Sequence, residues 1–231
     1  MRRTATRHAV NKVSCATAAK MNQNSAKLRV QFGCGLSAPE TWRNFDASPT
    51  LRFERLPIVG RLYTKNGERF PGNVEYGDIV KGLPLVRESC AAVYASHVLE
   101  HLSLGDFRIA LGNTFAVLAP GGRFRLVVPD LEILARQYLD SGDPAAAQTF
   151  MRATALGIES RNRDLRGFLR SWLGNSFHLW MWDFKSLEHE LSAAGFVEVA
   201  RRHLGDDPVF ADVEDAGRLV DSVAVGCTKP R

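Results

Sequence analysis

Short apolar segments alternate with helical patterns along most of this chain, and this alternation restricts the fold more than any single motif does. Strand-like segments occupy residues 28–32, the neighbourhood of Phe45, 73–77, 91–95, 123–128, 196–204 and 222–228. Helical patterns lie between most of them, at residues 104–118, 131–139, 144–156 and 184–194. Strands that alternate with helices form a mostly parallel sheet with helices on both faces. We therefore predict an α/β fold built on a doubly wound sheet.

The length and composition indicate one domain without a membrane span. With 231 residues, 45% of them apolar, the chain can bury a full core. No run approaches the roughly 18 apolar residues of a membrane-spanning helix. The four cysteines are far apart and none forms a C-x-x-C pair. We therefore expect reduced thiols, no thiolate metal site and a cytoplasmic location.

The positive charge of the chain is concentrated at its N-terminus. Residues 1–27 contain six Lys or Arg and no acid, which leaves 24 basic residues against all 25 acids in the rest. We predict that residues 1–26 are a basic, disordered extension and that residues 27–231 form the folded domain. The extension also resembles an organellar transit peptide. Because the folded part is nearly neutral, we do not expect it to bind nucleic acid.

Glycines or polar residues follow five of the predicted strands, at the edge where a parallel sheet binds its ligands. The first strand ends at Gly33-Cys34-Gly35, whose two glycines allow a tight turn next to a ligand. Later strands are followed by Asp46, Asp78-Ile79, Ser96-His97 and Asp130. An acid after the second strand can accept hydrogen bonds from ribose, and one after the third can accept from an adenine amino group. Each acid alone could be a loop residue or a helix cap, but the ordered series favours a nucleoside pocket.

Several longer pieces of the sequence resemble a known family. They are Phe32-Gly33-Cys34-Gly35, Trp42-x-Asn44-x-Asp46, Gly77-Asp78, the run YASHVLEHL from Tyr94 to Leu102, Leu118-x-Pro120-Gly121-Gly122, and the run VVPDL from Val127 to Leu131. Together they resemble class I S-adenosyl-L-methionine-dependent methyltransferases over residues 27–229, and most closely the small bacterial type-11-like branch. The resemblance implies a Rossmann-like sheet of seven strands, the last of them antiparallel.

The resemblance also implies roles for the residues at the strand ends, with S-adenosyl-L-methionine as the cofactor. The turn from Gly33 to Gly35 would pass beneath the methionine part of the cofactor. Asp46 would hold the ribose, and Asp78-Ile79 would hold the adenine. Ser96-His97 would form the floor of the transfer site.

Two features depart from the pattern of that family. The family usually has an acid two residues before the first glycine, where this chain has Gln31. The Gln31 amide can still hydrogen-bond the amino group of the cofactor, but it brings no charge. Asp46 lies 11 residues after Gly35, whereas a dinucleotide-binding fold has its acid about 20 residues further on. The short spacing leaves room for about one turn of helix and argues against a nicotinamide enzyme.

The motif His97-x-x-Glu100-His101 has three interpretations. On a helix the three side chains would share one face and could meet one metal ion. The same letters form the inverted zinc-protease motif, but their position after a strand argues against a protease. A related ubiquinone-pathway O-methyltransferase group has carboxylates and a histidine at similar spacing for a divalent ion, but His97 replaces one of those carboxylates. We predict no metal: His97 lines the pocket, while Glu100 and His101 tie the loop to neighbouring helices.

Methyl transfer to a hydroxyl needs a group that accepts a proton. His97 and His178 are candidates because histidine titrates near neutral pH, and Asp130 could orient the acceptor or a histidine. Residues 157–183 contain four arginines and five aromatic residues and are predicted to form a helical lid. Such a set suits an acceptor with a sugar ring or an anionic group.

We therefore expect an S-adenosyl-L-methionine-dependent methyltransferase of a small molecule, such as a glycan or a glycan precursor, with O-methylation favoured. The sequence leaves two alternatives open. One is a protein that binds the cofactor without catalysis, and the other is an RNA methyltransferase.

Overall fold

A seven-stranded sheet forms the centre of the protein. The computed structural model describes residues 28–57, 60, 68–158 and 177–231. The predicted N-terminal extension and most of the predicted lid lie outside these residues. The strands are β1 (Leu28–Phe32), β2 (Arg43–Asp46), β3 (Val74–Tyr76), β4 (Cys90–Ser96), β5 (Leu118–Pro129), β6 (Val197–Arg201) and β7 (Ser222–Thr228). Across the sheet their order is β3-β2-β1-β4-β5-β7-β6.

The strand directions are those of a doubly wound sheet. Strands β1 to β5 pair in parallel, whereas β7 is antiparallel to both of its neighbours, β5 and β6. After β3 the chain returns past β1 and adds β4, so the winding direction reverses between β1 and β4. Ligands of such sheets bind beyond the carboxyl ends of the strands at this reversal. The predicted seven strands with an antiparallel last strand are confirmed.

Five α-helices accompany the strands in the described part of the chain. They are α1 (Pro49–Glu54), α2 (Leu104–Val117), α3 (Leu131–Asp140), α4 (Ala146–Ala153) and α5 (Phe184–Ala193). The first N–H groups of a helix lack partners within it, so a side chain before the helix often accepts from them. Such caps come from Ser48, Ser103, Asp130 and Asp183. The four predicted helices are observed with small shifts at their ends, and no described helix is long and apolar enough to cross a membrane.

The connection from β1 to β2 is shorter than in dinucleotide-binding folds, and it contains no helix. Residues 33–42 form turns instead. The first helix after the glycines is α1, which begins only after β2. The backbone donors near the glycine turn therefore come from the turn itself rather than from the start of a helix.

One face of the sheet carries the main core. Phe32 and Phe124 from the strands pack in one cluster with Phe107 and Leu111 of α2 and Leu187 of α5. All five side chains are almost completely buried. Each such burial contributes about 1.5–3 kcal/mol relative to exposure. This face therefore fixes the positions of α2 and α5 against the strands.

An irregular segment, residues 202–221, covers part of the other face. Its Phe210 and Val213 pack with Trp42 and Tyr94, which project from this side of the sheet. The Phe210 ring lies 5.9 Å from the Trp42 ring and 6.1 Å from the Tyr94 ring, measured between centroids. The segment therefore has its own small apolar core, and it continues to the carboxyl edge of the sheet.

Buried ion pairs hold the same segment. The Arg125 guanidinium of β5 is 1% exposed and pairs with Glu214 and, at 2.5 Å, with Asp206. A buried charge is tolerated only when partners compensate it. The buried Arg125 charge therefore needs the carboxylates of residues 202–221, and the same ion pairs hold this segment against β5.

Replacing Glu214 with alanine is expected to lower the free energy of unfolding by about 3 kcal/mol, because it leaves most of the Arg125 charge buried and uncompensated. Urea unfolding followed by circular dichroism measures this effect. Arg123→Met is the matched control, because Arg123 forms an exposed pair with Asp207 and its loss should cost less than about 1 kcal/mol. Equal effects of the two substitutions would contradict this account of the segment.

Candidate functional site

The glycine turn after β1 places two residues with left-handed backbone at the carboxyl edge of the sheet. Gly33 and Gly35 have φ values of +64° and +55°, a region in which other residues are strained. A Cβ atom on Gly33 would lie 2.1 Å from Cγ2 of Val98, whereas a Cβ atom on Gly35 would meet nothing within 4 Å. Packing therefore requires glycine at position 33, and Gly35 borders open space.

The Asp46 carboxylate holds this turn from the end of the neighbouring strand β2. Its Oδ2 accepts a hydrogen bond from the Gly35 N–H at 2.9 Å, and its Oδ1 accepts from the Ser48 N–H at 2.7 Å. Each carboxylate oxygen can accept a second hydrogen bond. Asp46 is 8% exposed and lines the cleft beside the turn. It can therefore support the turn and accept from a ligand at the same time.

The cleft beyond the carboxyl ends of these strands has a volume of about 790 Å³. Its walls include the predicted site residues Gly33, Asp46, Asp78, Ile79 and His97. Pockets for drug-sized ligands have volumes of about 300–1,000 Å³. The cleft therefore brings together predicted residues from four strand ends in a space large enough for a nucleoside.

Asp78 and Ile79 form the polar and apolar parts of one wall of the cleft. Asp78 Oδ1 accepts from the Val80 N–H at 3.0 Å, and Oδ2 pairs with the Lys81 ammonium at 2.9 Å. Burial alone would raise the pKa of Asp78, but the hydrogen bonds from Lys81 and Val80 outweigh it and lower that pKa. Ile79 is 5% exposed. The wall thus offers an ionised acceptor next to an apolar surface.

A small cavity of about 50 Å³ adjoins the cleft, and Phe32 and Gly33 line both. Three predicted site residues, Gln31, Cys34 and Ser96, line this cavity. Burial, and after it the charge of Asp46, raises the pKa of the Cys34 thiol to about 12. Cys34 is therefore a neutral thiol at physiological pH.

The side-chain nitrogen of Gln31 is already used within the protein. It donates to the Ser37 carbonyl at 2.6 Å and to Asn44 Oδ1 at 2.7 Å. An amide nitrogen has two protons, so both are used on these acceptors. The Gln31 side chain therefore stabilises the turn that follows the glycines. Only its amide oxygen remains free to accept a hydrogen bond from a ligand.

Arg218 of the 202–221 segment also lines the small cavity. Its Nη1 donates to the Ser96 carbonyl at 3.3 Å. Among the described residues it forms no ion pair with a carboxylate. Arg218 is thus a cation facing the cavity with capacity for an anionic partner.

His97 is held through both of its ring nitrogens. Nε2 lies 2.8 Å from the Arg218 carbonyl, and because a carbonyl only accepts, Nε2 carries a proton. Nδ1 lies 3.4 Å from Glu100 Oε1. The nearby Glu100 carboxylate raises the pKa of His97, against the opposing effect of burial. His97 is therefore a fixed, readily protonated group at the edge of the cleft.

Glu100, His101 and His178 form a cluster next to His97. Glu100 is fully buried, and neither of its carboxylate oxygens has a hydrogen-bond partner in the part of the chain that the structure describes. The rings of His101 and His178 lie 4.9 Å apart. Burial lowers the pKa of His178. His101 lines the cleft directly, and His178 does not.

Asp130 has a structural position and does not line the cleft. Its Oδ1 accepts from the Glu132 N–H and caps α3, and its Oδ2 accepts from Arg201 at 3.1 Å. Both oxygens thus have partners, and the residue is fully buried. The structure does not bring Asp130 together with His97 or His178 at the predicted transfer site.

Comparison with known proteins gives matches to solved structures only. No family model matches the chain, and no curated protein matches it. Human N-acetylserotonin methyltransferase in complex with SAM is 16% identical, with a TM-score of 0.46, over 92% of this chain and 50% of that chain. Haemonchus contortus phosphoethanolamine N-methyltransferase 2 is 10% identical, with a TM-score of 0.46, over 88% of this chain and 48% of that chain. A SAM-dependent methyltransferase from Thermotoga maritima is 17% identical, with a TM-score of 0.48, over 95% of this chain and 96% of that chain.

The chain spans about half the length of the human and nematode proteins. The fold assignment rests on the strand order of the chain itself. Seven strands in the order 3-2-1-4-5-7-6, with β7 antiparallel, form the sheet that the sequence resemblance implied. The protein has the class I methyltransferase fold. Its assignment to the type-11-like branch stays a prediction.

Arg218 and His101 are among the lining residues for which the sequence predicted no role at the site. Arg218 belongs to no motif, and it reaches Ser96 across 122 positions of sequence. His101 was expected only to tie its loop to other helices, yet it lines the cleft. The position of His101 in the motif His97-x-x-Glu100-His101 could have indicated that it lies near the site. No feature of the sequence indicated this for Arg218.

Proposed function

We propose that the protein is an S-adenosyl-L-methionine-dependent methyltransferase that acts on a small molecule. The observation that carries this proposal is the position of the glycine turn, Asp46 and Asp78. They follow three different strands and line one cleft of about 790 Å³. A tight turn without side chains beside two carboxylates suits a ligand that combines a sugar with a base.

The described residues fit the two ends of the cofactor. Asp46 retains acceptor capacity for ribose hydroxyls, and Asp78 with Ile79 offers an acceptor and an apolar wall for adenine. The open space at Gly35 leaves the backbone accessible. The methionine part would extend to the small cavity, where the Arg218 guanidinium would pair with its carboxylate. The Gln31 oxygen would accept from its amino group.

When bound, the cofactor supplies an electrophilic methyl group. The residues of this chain have to align the acceptor within about 3–3.5 Å of that group and exclude water. The His97 and His101 side chains both line the cleft. We propose that the acceptor hydroxyl faces these two side chains and that one of them orients it. Because both nitrogens of His97 have partners, His97 is better suited to position the acceptor than to remove its proton.

For the acceptor, we propose a hydroxyl of a glycan or glycan precursor. The composition of residues 157–183 supports this, although the arginines of that segment lie outside the described residues. We further propose that the enzyme works in the cytoplasm. Residues 27–231 would form the catalytic domain and residues 1–26 an extension to it.

Isothermal titration of the purified chain with S-adenosyl-L-methionine and with S-adenosylhomocysteine tests the proposal. One site per chain with a Kd in the micromolar range is expected. Absence of heat at millimolar ligand would exclude the cofactor. Transfer of a radiolabelled methyl group is then measured with a panel of glycosides, nucleotide sugars, small amines and total RNA.

A protein that binds the cofactor without catalysis is the second candidate. The neutral Gln31 and the occupied ring nitrogens of His97 favour it. Cofactor binding without transfer to any member of the panel would support this candidate. Transfer to RNA alone would replace the small-molecule assignment.

A further inference from the structure

The cluster of Glu100, His101 and His178 contains a buried carboxylate whose ionic contacts within the described residues are imidazole nitrogens at 3.4 Å or more. The Glu100 side chain is 1% exposed, and neither carboxylate oxygen has a hydrogen-bond partner in the described residues. A buried carboxylate without compensation is costly, and native structures rarely retain one. The nearest cationic candidates are ring nitrogens of His97 at 3.4 Å and of His178 at 3.9 Å. Both distances are longer than the roughly 2.7–2.9 Å of a charge-assisted hydrogen bond.

Two histidines complete a ligand set around this carboxylate. One ligand atom from each of Glu100, His101 and His178 lies within 4.8 Å of the others. Two ligands of one Zn²⁺ ion lie at most about 4.2 Å apart, because each bond is about 2.1 Å long. In a tetrahedral zinc site the ligand atoms lie about 3.4 Å apart. Side-chain rotations that bring the ligand atoms up to about 1.4 Å closer together would therefore close the set around an ion. A carboxylate with two imidazoles is a ligand set of catalytic zinc sites and of other first-row divalent ions.

Backbone and ring hydrogen bonds already orient these ligands. His101 Nδ1 lies 3.0 Å from the Phe177 carbonyl, and because a carbonyl only accepts, Nδ1 donates and Nε2 keeps its lone pair. Metal-bound histidines typically donate their other ring N–H to a carbonyl in this way. The Glu100 carbonyl accepts from the Leu179 and Trp180 N–H groups, and the His178 N–H donates to the Ala155 carbonyl. The segment that carries His178 is thus held against the turn that carries Glu100 and His101.

We propose that Glu100, His101 and His178 bind one first-row divalent metal ion, such as Zn²⁺, at the edge of the cleft. This differs from the sequence-based expectation of no metal, and it also differs from the helical set His97, Glu100 and His101. The third ligand comes from a segment 77 positions after His101, which only the fold brings near. With three protein ligands, a zinc ion keeps a further coordination position.

The role of this ion rests on the proposed function, whereas the metal site does not. His101 lines the cleft, so the remaining coordination position would be reached from there. The ion would bind the oxygen of the acceptor and hold it in place for methyl transfer. This is a positioning role, in which the metal selects acceptors that carry a coordinating oxygen.

The test is metal binding by the full chain after dialysis against a chelator. Titration with Zn²⁺ against a chromophoric chelator is expected to give one site per chain with a Kd below about 1 μM. Glu100→Gln, His101→Ala and His178→Ala should each weaken binding at least about 100-fold, because each removes a ligand. His189→Ala is the matched control, because His189 is an exposed histidine on α5, and it should bind Zn²⁺ like the wild type. Loading with Co²⁺ should give a visible absorption spectrum that is lost in the three ligand variants.

Folding and the proposed function are measured separately. In chelator, Glu100→Gln should melt at or above the temperature of the wild type, because a neutral amide costs less to bury than a carboxyl group without hydrogen bonds. Zn²⁺ should then raise the melting temperature of the wild type and of His189→Ala but not of Glu100→Gln. Absence of a stoichiometric site, or Zn²⁺ affinities in the three ligand variants equal to that of the wild type, would overturn the metal site. Binding of S-adenosylhomocysteine in chelator tests the proposed function independently of either result.

Discussion

Replacing Asp46 with alanine is expected to weaken binding of S-adenosyl-L-methionine at least about 100-fold. The ribose loses a charged acceptor, and each hydrogen bond to such a group contributes about 1.5–3 kcal/mol. The Gly35 and Ser48 N–H groups also lose their partner, so the glycine turn becomes less well fixed. Isothermal titration measures the affinity under conditions in which circular dichroism shows both proteins to be folded. Asp140→Ala, which removes an exposed carboxylate at the end of α3, should leave the affinity unchanged.

A ligand without ribose hydroxyls separates direct binding from support of the turn. The 2′,3′-dideoxy analogue of S-adenosylhomocysteine should bind the wild type more weakly than S-adenosylhomocysteine does. If Asp46 contacts the ribose, Asp46→Ala should bind both ligands with similar affinity. An unchanged preference for the ribose ligand in the variant would mean that Asp46 acts only through the turn.

Replacing Gly33 with alanine is expected to lower the free energy of unfolding by at least about 2 kcal/mol. The left-handed backbone costs a residue with a Cβ about 1–2 kcal/mol, and the contact at 2.1 Å with Val98 adds the cost of overpacking. Gly35→Ala has a similar backbone conformation but no such contact, so it should cost only about 1–2 kcal/mol. Urea unfolding of the two variants measures the difference.

Val98→Ala provides the test of the contact itself. In the double variant with Gly33→Ala, the two nearest Val98 atoms are removed, so the stability loss should be smaller than the sum of the single losses. A coupling energy of at least about 0.5 kcal/mol is expected for residues in contact. Strict additivity would show that Gly33 is needed only for its backbone conformation.

The fold could be predicted because its main signals are local. Strand and helix periods, the Ser103 cap and the glycines after β1 all depend on residues close together in sequence. The start of β5 could not be predicted this way. The run Ala119-Pro120-Gly121-Gly122 indicates a turn, but hydrogen bonds between Gly121, Gly122 and Lys229 pair it with the end of the chain. Tertiary pairing here overrides local propensity.

In the candidate site, too, some features follow from local sequence and others depend on tertiary contacts. Asp46 and Asp130 look alike in sequence, since each is an acid directly after a strand. In the structure, Asp46 accepts a hydrogen bond from the glycine turn and lines the cleft. It gives Asp130 a helix cap and an ion pair with Arg201 instead. The two differ in their neighbours in space, which the local sequence does not encode.

By itself, the sequence determined the order of strands and helices and the placement of glycines and acids at the carboxyl edge of the sheet. These features follow from periodicity and from the backbone freedom of glycine, which act over a few residues. The tertiary structure alone decided which distant groups complete the site. It brought Arg218 to Ser96 across 122 positions and His178 beside Glu100 and His101. Such contacts depend on how the 202–221 segment and residues 177–183 before α5 pack on the sheet, so no short stretch of sequence specifies them.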